Sequence, residues 1–183
     1  LGDNFFYGPN FPDLLTEASN DNKGATIFGY SVRSPEGFGV LEINEKQDVI
    51  SLEEKPINPK SHFAITGLYF YDNQVIQFAK NLKPSDRGEL EITDINNIYL
   101  QKKMLKAKVL GRGYSWFDMG SHKSLLEASN FVETIEKRQG YKIACIEEIA
   151  WRNNWVSDNE IVKISYSFPN KYGEYLREIV KFG

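Results

Sequence analysis

Cysteine occurs once in the 183 residues, at Cys145, so no disulfide can form within the chain. A lone thiol suits a reducing cytoplasm, and Cys145 is expected as a small buried hydrophobe. Histidine occurs twice. Neither His62 nor His122 has a partner at ligand spacing, which argues against a zinc centre. No apolar run approaches the ~20 residues that span a bilayer, and no signal-peptide pattern opens the chain, so a membrane is not an expected partner. Excess positive charge is missing too: 22 Lys and Arg stand against 25 Asp and Glu, a net charge of −3. A polyanion binder needs a cationic face, so nucleic acid is not expected either. Any phosphate would be met by a few local cations or a metal. A Gly-x-Ser-x-Gly elbow, a Cys–His pair and a Walker-type loop are likewise absent.

What is present is bulky and patterned. Hydrophobic residues make up 41% of the chain, with 12 Phe, 10 Tyr and 3 Trp, which supports a packed core. Ala25–Val32 is β-branched and aromatic and predicts a strand. Gly39–Asn44 and Val49–Glu54, joined by Glu45-Lys46-Gln47-Asp48, predict a hairpin. Phe63–Tyr71 is a near-continuous apolar run and predicts a strand buried on both faces. Helices are expected over Asp13–Ser19, Asn73–Leu82 and Leu90–Lys103, the last with Ile92, Ile95, Ile98 and Tyr99 on its inner face. Lys106–Leu110 and Tyr114–Phe117 predict short strands. A long helix follows, capped by Ser121 and ended by Gly140, and the remainder is mostly helical. This alternation reads as α/β: a mixed sheet with helical cover over residues 1–140 and a helical appendix over 141–183. The opening Leu1-Gly2-Asp3-Asn4 has no methionine and reads as the end of a strand whose apolar body is absent, so a fragment is expected.

Three acidic positions invite chemistry. Asp3 follows Gly2 where open α/β sheets place ligands, although an Asp-Asn pair also makes an ordinary turn. Asp118 closes Tyr114–Gly120 and could either join Asp3 around a hard cation or cap the next helix. In Glu53-Glu54-Lys55-Pro56 the proline should hold Lys55 extended. Alternation then places Ile50, Leu52 and Glu54 on one face and Lys55 on the other, unless the proline bends the chain. Glu54 could be satisfied by sugar hydroxyls and Lys55 by a phosphate; an exposed acidic-basic cluster fits the composition equally well. The charges of Ser85–Asp94 match a helix start and could be wholly structural.

Leu1–Asn4, Phe38–Val40, Ser51–Pro56, Ile65–Asp72, Arg87–Asn96 and Gly113–Gly120, taken in order with their gaps, closely resemble the glucose-1-phosphate thymidylyltransferase (dTDP-glucose pyrophosphorylase) family. The resemblance runs from Leu1 nearly to the end. It implies a Rossmann-like mixed sheet of the sugar-pyrophosphorylase type, incomplete at its N-terminus, because the family's Gly-Gly-x-Gly-Thr-Arg-Leu loop and thymine-reading residues do not occur here. It further implies that dTTP and glucose 1-phosphate are converted to dTDP-glucose and pyrophosphate with Mg²⁺, in the cytoplasm and in dTDP-rhamnose biosynthesis. By matching position, Asp3 and Asp118 would hold the metal and act in catalysis. Glu54 would hold the glucose hydroxyls and Lys55 the sugar phosphate. Gly39 and Ile65 would bring main chain to the sugar, and Thr93 and Trp116 would line its pocket. Phe38 stands where the family usually has tyrosine, so any contact by that hydroxyl is lost. A regulatory dTDP-sugar site would involve Gly111, Arg112 and Glu148, and a homo-oligomer, tetrameric in the family, is implied. The rival expectations are a relative using UTP, CTP or GTP, and a non-catalytic sugar-nucleotide-binding or oligomerisation fragment.

Overall fold

Successive residues of a strand face opposite ways, so a strand apolar at every position must be covered on both sides. The strand β2 (Ala25–Ser31), buried at each of its first five positions, meets the same requirement. In the computed structural model, which describes residues 2–21 and 23–182, Ile27 and Phe28 are both fully buried but belong to different clusters. Ile27 packs with Leu41, Leu52 and Ile65 on one face; Phe28 packs with Ala18 and Leu110 on the other. Ala18 belongs to the helix α1 (Phe11–Asn20), which covers that second face.

Four further strands, β3 (Gly39–Ile43), β4 (Val49–Glu54), β5 (Phe63–Tyr71) and β6 (Leu105–Leu110), join β2 in a sheet of order β4-β3-β5-β2-β6. β2 and β6 run parallel and the other neighbours antiparallel, so the sheet is mixed as expected. A separate two-stranded ladder pairs β1 (Asn4–Tyr7) with β7 (Ser115–Asp118). Leu1, the first residue of the expected opening strand end, lies outside the described residues.

Four expectations need correction. Ile50 does not share the inner face of β4 but is half exposed. The register steps from Glu42↔Ser51 to Ile43↔Val49, leaving Ile50 as the extra residue of a bulge, and Val49 turns inward instead. β5 is buried on both faces only over Ala64, Ile65 and Thr66. The helices flanking its end are also shorter than their periodicity suggests. α2 is only Val75–Lys80, because Asp72 takes the Gln74 amide into a turn first. α3 is Ile92–Gln101, stopped by Lys103 in the left-handed region at φ 57°. Its buried face is Thr93, Ile95, Asn96 and Tyr99 rather than an isoleucine stripe; Ile92 stays exposed, and Asn96 Oδ1 accepts from Tyr71 Oη at 2.6 Å.

The chain forms two compact units, Leu1–Leu125 and Leu126–Gly183. The long helix α4 (His122–Gln139) begins where Ser121 Oγ accepts from the Ser124 amide at 3.1 Å and ends before Gly140 at φ 76°, as the sequence predicts. In the second unit α5 (Ile146–Arg152), α6 (Asp158–Ser165) and α7 (Lys171–Phe182) enclose Cys145, Ile161, Tyr175, Leu176 and Ile179. Ser157 and Glu160 start α6 with a reciprocal capping box. No helix among the described residues is long and apolar enough to cross a membrane.

Asp72 ties the end of β5 to the loop before β2. It accepts from Gly24 N at 2.9 Å, Tyr99 Oη at 2.8 Å, and Gln74 N and Nε2 at 3.0 and 2.8 Å. Burial opposes its ionisation, but these donors outweigh it and hold the carboxyl below its ordinary 3.8. A depressed folded pKa gives stability that is present above the unfolded value and lost as pH falls through the folded one. Asp72→Asn should therefore lower Tm at pH 7 and flatten the fall in Tm below about pH 4, measured by thermal melts across pH.

Candidate active site

The β1–β7 ladder sets Asn4 opposite Asp118, and the Met119 amide donates to Asp3 O at 2.7 Å. Asp3 thus precedes β1 rather than following a described strand, and the antiparallel pairing brings it beside the far end of β7. A Cβ added to Gly120 would lie 3.4 Å from Asp118 Oδ1 and 3.9 Å from Asp3 Oδ2. Both carboxylates therefore border one space that a glycine keeps open. Hard divalent cations favour such oxygen donors, so the pair fits a Mg²⁺-type ion completed by phosphate and water. Among the described residues there is no group of three or more His, Cys, Asp and Glu that could form an all-protein metal cage.

The same two aspartates line a cleft of about 220 Å³. Phe38, Gly39, Glu54, Lys55, Ile65, Thr93 and Trp116 line it as well, so every substrate and metal position expected from the sequence meets there. The β3–β4 hairpin places Gly39 opposite Glu54. Glu54 Oε2 accepts from Thr93 Oγ1, and Oε1 lies 3.8 Å from Arg87 Nη1. A side chain on Gly39 would crowd Thr93 Oγ1, Glu54 Oε2 and Ile65 Cδ1 at 3.0–3.3 Å, so the missing Cβ keeps the backbone accessible beside the carboxylate. Phe38 packs on Trp116 at 5.2 Å between ring centroids, and Tyr30 braces the indole edge-on at 5.8 Å.

Lys55 departs from the extended geometry expected before Pro56. Its φ is 42°, in the left-handed region, and its amide donates to Phe38 O at 3.0 Å. Strict alternation would send Glu54 and Lys55 to opposite faces; this turn lets both line the cleft. A side chain held left-handed stores about 1 kcal/mol or more, a strain that tends to sit at functional positions.

Sequence reasoning missed Asn4, Gly37, Gly67, Tyr69 and Ile92 as lining residues. Gly67 and Tyr69 were accessible by alternation from Ile65 along β5. Burial, and then the Glu54 charge, push the Tyr69 phenol up to about 12, so it stays protonated as a donor at neutral pH. Arg87, one of the Ser85–Asp94 charges that could be wholly structural, also pairs with Glu89 at 3.0 Å and the buried Glu91 at 3.2 Å.

The nucleotidyl transferase family profile matches residues 1–135, which contain the whole cleft. The chain belongs to the nucleotidyl transferase family. Within this family it is 52% identical, over 99% of its length, to a glucose-1-phosphate thymidylyltransferase of Neisseria meningitidis, and it covers 63% of that relative. The chain therefore spans under two thirds of this curated relative. A Bacillus anthracis structure assigned as a glucose-1-phosphate thymidylyltransferase, in complex with sucrose, aligns with TM-score 0.62 and 45% identity over 72% of this chain and 52% of that one. A UDP-glucose pyrophosphorylase complexed with UDP-glucose aligns with TM-score 0.63 over 73% of this chain and 54% of that one, at 21% identity, and shares the fold.

The positions read as regulatory are not among the residues lining the cleft of this nucleotidyl transferase. Gly111 and Arg112 are exposed in the turn between β6 and β7. Glu148 belongs to the second unit, where it is buried and accepts from Tyr175 Oη and from Arg152 Nε at 2.8 Å. The left-handed turn at Lys55 yields a direct test. Lys55→Gly should keep or raise Tm because the strain is relieved, while binding of inorganic phosphate, as an anion probe, weakens about ten-fold through loss of the cation. Thermal melts and calorimetric titration measure the two effects separately.

Proposed function

We propose that this chain carries the sugar- and metal-holding part of a glucose-1-phosphate thymidylyltransferase, which forms dTDP-glucose and pyrophosphate from dTTP and glucose 1-phosphate. The supporting observation is the convergence of Asp3, Asp118, Glu54 and Lys55 on one cleft. Glu54 accepts hydrogen bonds from glucose hydroxyls, with Thr93 and Arg87 fixing its orientation. The open backbone at Gly39 and the Phe38–Trp116 wall shape the sugar's surroundings. Lys55 supplies a point charge to the sugar phosphate. An oxygen of that phosphate forms a bond to the α-phosphorus of dTTP, and the bond from that phosphorus to the oxygen of the β-phosphate breaks, releasing pyrophosphate. The attacking oxygen is already ionised at neutral pH, so these residues need supply no general base. Asp3 and Asp118 would hold Mg²⁺. When bound, such an ion neutralises charge on the phosphoryl oxygens. The remaining acceleration comes from positioning and electrostatics.

The choice of dTTP is supported by the name of the Neisseria meningitidis relative. We further place the protein in the cytoplasm and in dTDP-rhamnose biosynthesis, a reading supported for the compartment by the single, unpaired Cys145. Ile146, Trp155, Tyr166 and Phe182 expose apolar surface on the second unit, which favours a homo-oligomer, tetrameric by family resemblance. Gly111, Arg112 and Glu148 remain the proposed sites of dTDP-sugar regulation.

The full-length protein should turn over dTTP and glucose 1-phosphate with Mg²⁺, measured by pyrophosphate release. Asp118→Asn should reduce kcat by about 100-fold or more while leaving the melting temperature near that of the wild type. Inertness of the full-length protein with this substrate pair would defeat the proposal. Binding of glucose 1-phosphate without turnover would instead indicate a sugar-nucleotide-binding module.

A further inference from the structure

Asn4 sits between the two halves of the cleft, and all of its side-chain polar atoms are engaged. Its Nδ2 donates to Asp3 Oδ1 at 3.1 Å. Its Oδ1 accepts from Gly67 N at 3.0 Å and from Trp116 Nε1 at 2.7 Å. The orientation of the amide is determined by this pattern, because a flip would face Nδ2 with two N–H donors. The reach to Trp116 follows from the ladder: Asn4 lies opposite Asp118, and Trp116 is its diagonal neighbour two residues back.

Gly67 reinforces the point from a different strand. Its φ lies outside the left-handed region, so the backbone does not require glycine. A Cβ there would instead fall 2.5–2.7 Å from three side-chain atoms of Asn4. The glycine on β5 is thus needed by the amide on β1.

We infer that Asn4 is a positioning residue that sets the metal-facing carboxylate of Asp3 and the sugar-facing indole of Trp116 together. By occupying Asp3 Oδ1 it leaves Oδ2, the oxygen nearer the space beside Gly120, for a cation. By accepting from Trp116 Nε1 it fixes the indole that packs on Phe38. Alternative side chains lose part of this. Ionised aspartate cannot donate to Asp3, and serine is too short to span both partners. This inference rests on the proposed function for the identity of the ligands, but its geometry concerns the chain alone.

The test uses the 183-residue chain, with Asn4→Ala, Gly67→Ala and the double variant, and Asn4→Ser in place of Asn4→Ala should the latter not fold. In the absence of any ligand, the Trp116 indole N–H resonance should move upfield in Asn4→Ala and also in Gly67→Ala, where the amide is displaced. The double variant should match Asn4→Ala alone, since the added Cβ enters space already vacated. With Mg²⁺ as the probe, calorimetry should show affinity about ten-fold weaker in both single variants, and the double within about two-fold of Asn4→Ala. An indole resonance and a Mg²⁺ affinity both unchanged in the Asn4 variant would overturn the inference, as would effects of the two single changes that simply multiply. A wild-type chain that takes up neither Mg²⁺ nor glucose 1-phosphate defeats the proposed function and the metal half of this inference. The ligand-free indole comparison still supports or overturns the link between Asn4 and Trp116.

Discussion

The antiparallel pairing of β1 with β7 is the constraint on which the cleft depends. Asp3 and Asp118 are separated by most of the first unit in sequence, and only the Asn4↔Asp118 register makes them neighbours. A slip of one residue would reverse which side chains face the cleft, moving Asp118 and Trp116 away from it together. The bond from Met119 N to Asp3 O extends the pairing one step beyond the ladder and holds the carboxylate end in place. The Glu54 side of the cleft is fixed by a second ladder, in which the β3–β4 hairpin sets Gly39 against Glu54.

Charge in the cleft is arranged so that each acidic group has a defined neighbour. Arg87 draws together Glu54, Glu89 and Glu91, of which Glu91 is buried and would be costly without a partner. Thr93 joins Glu54 from the first turn of α3, so the helix start and the strand end are connected through one carboxylate. Polar residues on the buried face of α3 are explained in the same way: Thr93 and Asn96 face inward because each has a hydrogen-bonding partner on the sheet.

Much of this was legible in the sequence where one local rule governed the outcome. The β3–β4 hairpin, the apolar strand Phe63–Tyr71 and the Ser121 and Gly140 boundaries of α4 follow from alternation, turn residues and capping, and all are present. The acidic positions stood out because a carboxylate at the end of an apolar strand is expensive unless something binds it. Local rules failed where tertiary contacts decided. Alternation cannot foresee the extra residue at Ile50, and the proline rule disfavours right-handed geometry at Lys55 without excluding the left-handed turn adopted there. Asn4 looked like an ordinary turn former because its partners, Gly67 and Trp116, arrive from remote strands. Thr93 and Asn96 broke the apolar period of α3 for reasons found only across the interface with the sheet.

The bulge at Ile50 has a mechanical consequence for the hairpin. Inward and outward positions fall out of phase across it, so the segment from Ser51 to Glu54 keeps its own parity, independent of the Glu45–Asp48 connection. Length changes in that outer loop need not rotate Glu54 out of the cleft. The distal tip of the hairpin is thereby free to diversify while the carboxylate at its base stays aimed.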